Sequence, residues 1–202
     1  VGPFGWLAMP PERTYGAAGA LEAATGAGRV VALGGDYLAY VSFERRVSTV
    51  FVQHLRTGRK VAVSARAGIN GSPSYSSDGQ KLALTLSGSN GNLDIYTLDL
   101  ATQALTRLTT DASIDTEPVF APDGSIYFTS DRAGSPQVYQ LKPGSSERPK
   151  RITFTGNYNA RPRVSPDGRQ LALLTQADGG YRIAEQGLAT GTVTLLSRGR
   201  RG

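Results

Sequence analysis

The sequence predicts an all-β chain, a β-propeller with four recognisable four-stranded blades, and three observations carry that prediction. A tight turn recurs at Ser77-Asp78-Gly79, Pro122-Asp123-Gly124 and Pro166-Asp167-Gly168, with its glycines 45 and 44 residues apart. Gly34-Gly35 is a degenerate copy another 44 residues back. Fixed positions accompany the turn: Pro73, Pro118 and Pro162 stand six residues before its glycine, and Val31, Tyr75, Phe120 and Val164 stand four before. The far ends of the units repeat as well, as Val63-Ser64, Leu108-Thr109, Ile152-Thr153 and Leu196-Ser197, in steps of 45, 44 and 44. One period kept by independent markers is the signature of stacked supersecondary units.

Each unit reads as four short strands. The first begins after the proline, whose missing N–H is tolerated at a strand's start. In the turn, proline presets φ, aspartate bonds nearby backbone and glycine takes the positive φ. Strand two is Leu38-Ala39-Tyr40-Val41, Leu82-Ala83-Leu84-Thr85, Ile126-Tyr127-Phe128-Thr129 or Leu171-Ala172-Leu173-Leu174. These runs are apolar on both faces, as a sheet sandwiched between sheets requires. Strand three is Thr49-Val50-Phe51-Val52, Asp94-Ile95-Tyr96-Thr97, Gln137-Val138-Tyr139-Gln140 or Tyr181-Arg182-Ile183-Ala184. Turns such as Arg56-Thr57-Gly58 lead to strand four. The blades are expected over about 29–67, 68–112, 113–156 and 157–197. Residues 1–28, alanine- and glycine-rich from Gly16, read as an irregular or linker-like segment, and 198–202 as a basic tail.

Because strands alternate in direction, the tight turns share one face of the molecule. The opposite face holds the loops between strands two and three and the blade-to-blade linkers, which lie nearest the central channel. Variable polar loops on a rigid frame are where binding is usually placed. The aromatic residues Tyr75, Phe120, Tyr96 and Tyr139 keep the strand register and are expected to pack between blades rather than stack on a ligand.

Composition narrows the function. The chain has 202 residues and a net charge of +6, with its basic residues scattered apart from Arg198, Arg200 and Arg201. That distribution suits a solvated surface better than a nucleic-acid groove. There is no cysteine, so disulfides, zinc thiolates and a cysteine nucleophile are excluded. No apolar run approaches the roughly 20 residues of a membrane span. The opening Val1-Gly2-Pro3-Phe4 is not an intact signal peptide, and both ends read as cut from something longer.

Signals for catalysis are weak. His54 is the single histidine, and it takes the turn position that Asp99 holds in the next repeat. The Gly-x-Ser-x-Gly elbow and the phosphate-binding loop are both missing from the sequence. No catalytic residue and no metal ligand is therefore assigned. Asp111, Asp115 and Glu117 share one linker and could hold calcium with carbonyl help, but they lack the ordered spacing of a dedicated loop. No cofactor is expected beyond such a calcium ion in the channel.

Several stretches resemble the TolB propeller family. They are Leu38-Ala39-Tyr40-Val41-Ser42-Phe43-Glu44, Lys81-Leu82-Ala83-Leu84-Thr85-Leu86-Ser87, Asp115-Thr116-Glu117-Pro118, Phe128 through Tyr139, and Gly156-Asn157-Tyr158-Asn159-Ala160-Arg161-Pro162. The resemblance covers about residues 36–197. It implies a propeller of six blades behind an N-terminal α/β domain. It also implies a periplasmic location and a non-catalytic scaffold in the Tol–Pal system, serving outer-membrane integrity and cell division. The implied partner is the peptidoglycan-associated lipoprotein Pal, with other Tol proteins and some colicins; neither nucleic acid nor direct membrane insertion is implied. Transferred by position, the partner-binding residues are Ile69, Asn70 and Ser72, then Asp115, Thr116 and Glu117, then Asn157, Asn159 and Arg161.

The sequence departs from that family in three ways. The α/β domain has no counterpart, residues 1–35 lack the Ser-Pro-Asp-Gly turn, and Ile69 stands where some members carry histidine. The alternative is the regulatory propeller of a prolyl oligopeptidase-like serine peptidase without its catalytic domain.

Overall fold

The structure, a computed structural model, describes residues 28–44, 47–88 and 91–197. The expectations for 1–27 and for the tail at 198–202 fall outside the described residues. Sixteen strands form four antiparallel meanders. Blade one holds β1 (Gly28–Gly34), β2 (Tyr37–Ser42), β3 (Thr49–His54) and β4 (Lys60–Ser64). Blade two holds β5 (Asn70–Tyr75), β6 (Lys81–Ser87), β7 (Leu93–Asp99) and β8 (Leu105–Arg107). Blade three holds β9 (Asp115–Phe120), β10 (Ile126–Ser130), β11 (Gln137–Leu141) and β12 (Lys150–Arg151). Blade four holds β13 (Asn159–Val164), β14 (Gln170–Ala177), β15 (Gly180–Gly187) and β16 (Val193–Leu195).

Two-sided apolar strands become inter-blade cores. Leu82 and Leu84 of β6 point to blade one and pack with Ala39, Val41, Val50 and Val52. Ala83 lies between them and faces blade three, where its small side chain leaves room for Phe120, Phe128 and Tyr139. Val119, Tyr127 and Val138 meet Leu171, Leu173 and Ala184 in the third core. Burying one such leucine contributes about 1.5–3 kcal/mol, so the seams between blades hold the described sheets together. Blade four is covered on one face only among the described residues; Leu171 and Leu173 are buried there while Ala172 and Leu174 between them are half-buried.

The repeat markers have local causes. In the turns, the Asp78, Asp123 and Asp167 carboxylates accept from backbone N–H groups of Gln80, Ser125 and Arg169. Gly79, Gly124 and Gly168 take φ of +68°, +82° and +71°. At the far ends, the hydroxyls of Thr109, Thr153 and Ser197 accept from the N–H of Ile95, Val138 and Ile183. Such a bond holds strand three just beyond the end of the short strand four. It also fixes a register that the sequence reading misses by one residue: Ile183 matches Ile95 and Val138, so Arg182, not Tyr181, is the counterpart in blade four of Asp94 and Gln137. Two-residue turns and hydrophobic alternation look alike at neighbouring registers, and only this hydroxyl bond separates them.

Gly34 is retained for a different reason from the turn glycines. A Cβ there would stand 2.9 Å from the Tyr75 ring, so glycine lets blade one's first strand close on blade two. His54 also has a turn role: its Nδ1 accepts from the Thr57 N–H, as Asp99 Oδ1 accepts from the Thr102 N–H one repeat later.

Candidate interaction site

Three linkers, 65–69, 108–114 and 152–158, deliver the chain to the innermost strands β5, β9 and β13. The first residue of each innermost strand is a buried polar latch. Asn70 donates to Arg66 O at 2.7 Å and accepts from Ser64 Oγ at 2.6 Å and Arg66 N at 3.0 Å. Asp115, wholly buried, takes both its bonds from Arg132 Nη2, at 3.0 and 2.9 Å. Asn159 donates to Gln137 Oε1 at 3.0 Å and to Thr155 O at 2.8 Å. The Arg132 guanidinium also lies 4.9 Å from the Tyr139 ring centroid and 5.5 Å from that of Phe128. Stacking on rings adds to the ionic bond, and both fasten the end of the linker to the blade it enters, since Arg132, Phe128 and Tyr139 all belong to blade three.

Two residues further on, every innermost strand of blades two to four is bulged. Pairing passes from Gly71 to Ser74, from Thr116 to Val119 and from Ala160 to Arg163. The bulge re-aims the side chains at its centre. Ser72, Glu117 and Arg161 there adopt left-handed backbone, with φ of +48°, +57° and +57°. Each precedes a proline, which ordinarily drives its predecessor to extended conformations. Backbone of this kind costs of the order of 1–3 kcal/mol per residue and persists only where surrounding contacts over-determine it. Here they do so. The Glu117 N–H donates to Thr85 Oγ1 at 3.1 Å, and the Arg161 N–H donates to Thr129 Oγ1 and Glu117 Oε2, both at 3.1 Å. Each bond reaches back to the preceding blade.

These bulges border one cavity of about 420 Å³, open on the linker face. Ile69, Asn70, Ser72, Glu117 and Arg161 line it, together with Val41, Phe43, Pro73, Val119 and Arg163 among others. Asp115, Thr116, Asn157 and Asn159 do not. The nine residues named by position therefore divide. Asn70, Asp115 and Asn159 hold the rim from below, while Ile69, Asn157 and Arg161 are exposed and Ser72, Thr116 and Glu117 are half-buried. Sequence reasoning missed Val41, Phe43 and Arg163. Arg163 sits two residues from Arg161, but a bulge has no sequence mark that tells which way its flanking side chains turn. Phe43 did carry a signal, being an aromatic residue in a loop between strands two and three.

Electrostatics on this face is organised across blades. Arg161 Nε meets Glu117 Oε1 at 3.2 Å, bridging blades three and four. Arg163 is exposed, yet partial desolvation of its guanidinium against the cavity wall pushes its pKa down, with Glu117 opposing. Asp94 is buried beside Arg107, at 2.6 Å; burial pushes its carboxyl up, and the guanidinium opposes this. The three acidic residues weighed for calcium are separated by their partners. Asp111 is bonded to Ser113, Asp115 to Arg132 and Glu117 to Arg161. Among the described residues no cluster of three His, Cys, Asp or Glu is arranged to hold a metal.

A model of the TolB beta propeller domain matches residues 31–202. The Tol-Pal system protein TolB of Francisella tularensis subsp. tularensis (strain WY96-3418) is 37% identical over 170 residues, 82% of this chain and 39% of that protein. The chain thus spans about two fifths of the length of the curated relatives it matches. The crystal structure of TolB from Acinetobacter baumannii superposes with a TM-score of 0.75 at 42% identity, over 80% of this chain and 41% of that one. A puromycin-hydrolyzing peptidase of Mycobacterium tuberculosis superposes at 0.66 but is only 17% identical, over 86% of this chain and 29% of that one, which shows a shared propeller fold alone. Sequence, blade pattern and fold agree: the chain belongs to the TolB β-propeller family.

Proposed function

We propose that this chain is a non-catalytic protein-interaction module that binds the lipoprotein Pal through its linker face, in the periplasm, and through it serves outer-membrane integrity and cell division. One observation carries the reading: Ser72, Glu117 and Arg161, from three different blades, are held in left-handed backbone around a single cavity. Strain concentrated at one site, with its side chains turned into an opening, is typical of a binding surface. Membership of the TolB family supports the choice of partner. The rim suits a protein rather than a small metabolite. Phe43 is 61% exposed and Ile69 50%, so apolar side chains stand beside charged ones as at a protein interface. The test is isothermal titration of this chain with the soluble domain of Pal. Saturable one-to-one heat is expected, and its absence at high micromolar concentrations of both proteins contradicts the proposal.

A further inference from the structure

The cavity has two chemically distinct halves. Val41, Phe43 and Ile69 make an apolar wall from blade one and the first linker; Glu117, Arg161 and Arg163 make a charged wall from blades three and four. The polar groups of the charged wall are unequally occupied. Glu117 Oε1 accepts from Arg161 Nε at 3.2 Å, and Oε2 accepts from the Arg161 N–H at 3.1 Å and from Thr129 Oγ1 at 3.2 Å. Both charges of that pair are answered within the chain. Arg163 is different. Its Nη1 donates to the Pro162 carbonyl at 2.7 Å, and among the described residues no carboxylate lies within ion-pair distance of it. Arg163 is exposed where it lines the half-apolar cavity, and with only a carbonyl as partner it retains several donors in a planar fork that matches a carboxylate.

We propose that Arg163 is the anchor for an aspartate or glutamate side chain of the protein partner. The partner residue beside that acid is aliphatic or aromatic and lies against Val41, Phe43 and Ile69. The inference rests on the reading of this face as a protein-binding site, and it specifies the partner's chemistry. Size supports it: a helix about 10 Å across with a 5.4 Å pitch fills roughly 420 Å³ per turn. The cavity, open on the linker face, therefore takes in about one turn of a partner's chain, and one acid beside one apolar residue is what a single turn can offer.

The test has two arms. In the first, the isotope-labelled chain is titrated with acetyl-Leu-Glu-amide and with acetyl-Leu-Gln-amide, followed by the backbone amide signals of Val41, Gly71 and Ser72. The glutamate peptide is expected to bind at least tenfold more tightly, with that preference lost in Arg163→Gln and largely retained in Arg163→Lys. Equal binding of the two peptides, or no binding of either up to 50 mM, overturns the proposal. In the second arm, the soluble domain of Pal is titrated into the parent and both variants, each first shown to melt within a few degrees of the parent. A loss of tenfold or more in Arg163→Gln, with recovery in Arg163→Lys, supports it. Undiminished Pal binding by Arg163→Gln overturns the anchor while leaving the proposed function standing. If the parent itself does not bind Pal, the choice of partner fails and the dipeptide arm alone decides the anchor.

Discussion

The two faces of the molecule solve the same problem, satisfying the polar groups where strands reverse, by opposite means. On the tight-turn face the side chains that shape the turns are mostly answered within a few residues. Asp78 bonds Ser76 and Gln80, Asp123 bonds Ser125, Asp167 bonds Ser165 and Arg169, and His54 bonds Thr57. On the linker face the partners lie far along the chain: Asn70 N–H reaches Ser48 over 22 residues, Glu117 N–H reaches Thr85 over 32, and Arg161 reaches Glu117 over 44. Exposed apolar side chains follow the same division. Phe43, Val47, Ile69, Ile114 and Phe154 all stand in the loops and linkers of one face, and none of the large exposed apolar residues described lies in a tight turn. Locally closed turns make a finished surface. Loops closed from other blades leave apolar and charged groups facing outward, where a partner can meet them.

The largest expected effect comes from breaking this division at its deepest point. Asp115→Ala leaves Arg132, whose side chain is 17% exposed, without its carboxylate, and a broken buried pair costs about 3–5 kcal/mol. The matching change on the turn face, Asp36→Ala, removes an exposed partner of Arg56 and should cost under about 1 kcal/mol. Urea denaturation of both variants checks the contrast. Midpoints that fall equally would mean that the linker latches are no stronger than surface pairs.

A smaller effect separates the glycines of the two faces. Gly124, at φ +82°, has open space where a Cβ would stand, so Gly124→Val tests backbone strain alone and should cost about 1–3 kcal/mol. Gly71, on the linker face, also has open space but no positive φ, and Gly71→Ala should be neutral or slightly stabilising. Thermal melts decide it: a costly Gly71→Ala beside a harmless Gly124→Val would reverse the assignment of which glycine the backbone needs.

The smallest effect is a pH dependence located on the turn face. Hydrogen bonds from Ser76, Ser125 and Ser165 hold the Asp78, Asp123 and Asp167 carboxyls below their ordinary value. Folded values below unfolded ones stabilise the protein fully above about pH 4, and that stabilisation is lost as pH falls through the folded values. Asp94 runs the other way. Burial raises its pKa, so its ionisation is a cost above the unfolded value and acid relieves it. Denaturation midpoints should therefore fall below about pH 4, less steeply in Asp123→Asn than in the parent, while the gain that Asp94 gives as pH drops from 6 towards about 4 should be missing in Asp94→Asn.

The same division explains what can be read from the sequence. The turn face is legible because its causes are local: Asp then Gly, with Ser or Thr two residues away, is a short string that recurs. The blades are legible because Leu82, Ala83 and Leu84 are apolar on successive residues, which only a sheet covered on both sides explains. The linker face is legible as a place but not residue by residue. Asn70, Asp115 and Asn159 look like exposed polar contacts in sequence, yet their side chains are bonded beneath the rim by Ser64, Arg132 and Gln137. Val41 and Arg163 look like ordinary strand residues, yet bulges and the packing of blade on blade bring them to the cavity. Contacts between blades depend on register and bulge geometry, which no short string encodes.

The most direct test of the whole account exchanges bulk and charge between the faces and measures one binding event. Ser72→Arg with Thr116→Arg crowds the linker face, while Thr57→Arg with Thr190→Arg alters exposed residues of the turn face. Calorimetry with the soluble domain of Pal should show a loss of at least a hundredfold for the first pair and less than threefold for the second, with both melting close to the parent. Binding that survives the first pair and disappears in the second would place the interaction on the turn face and contradict the account.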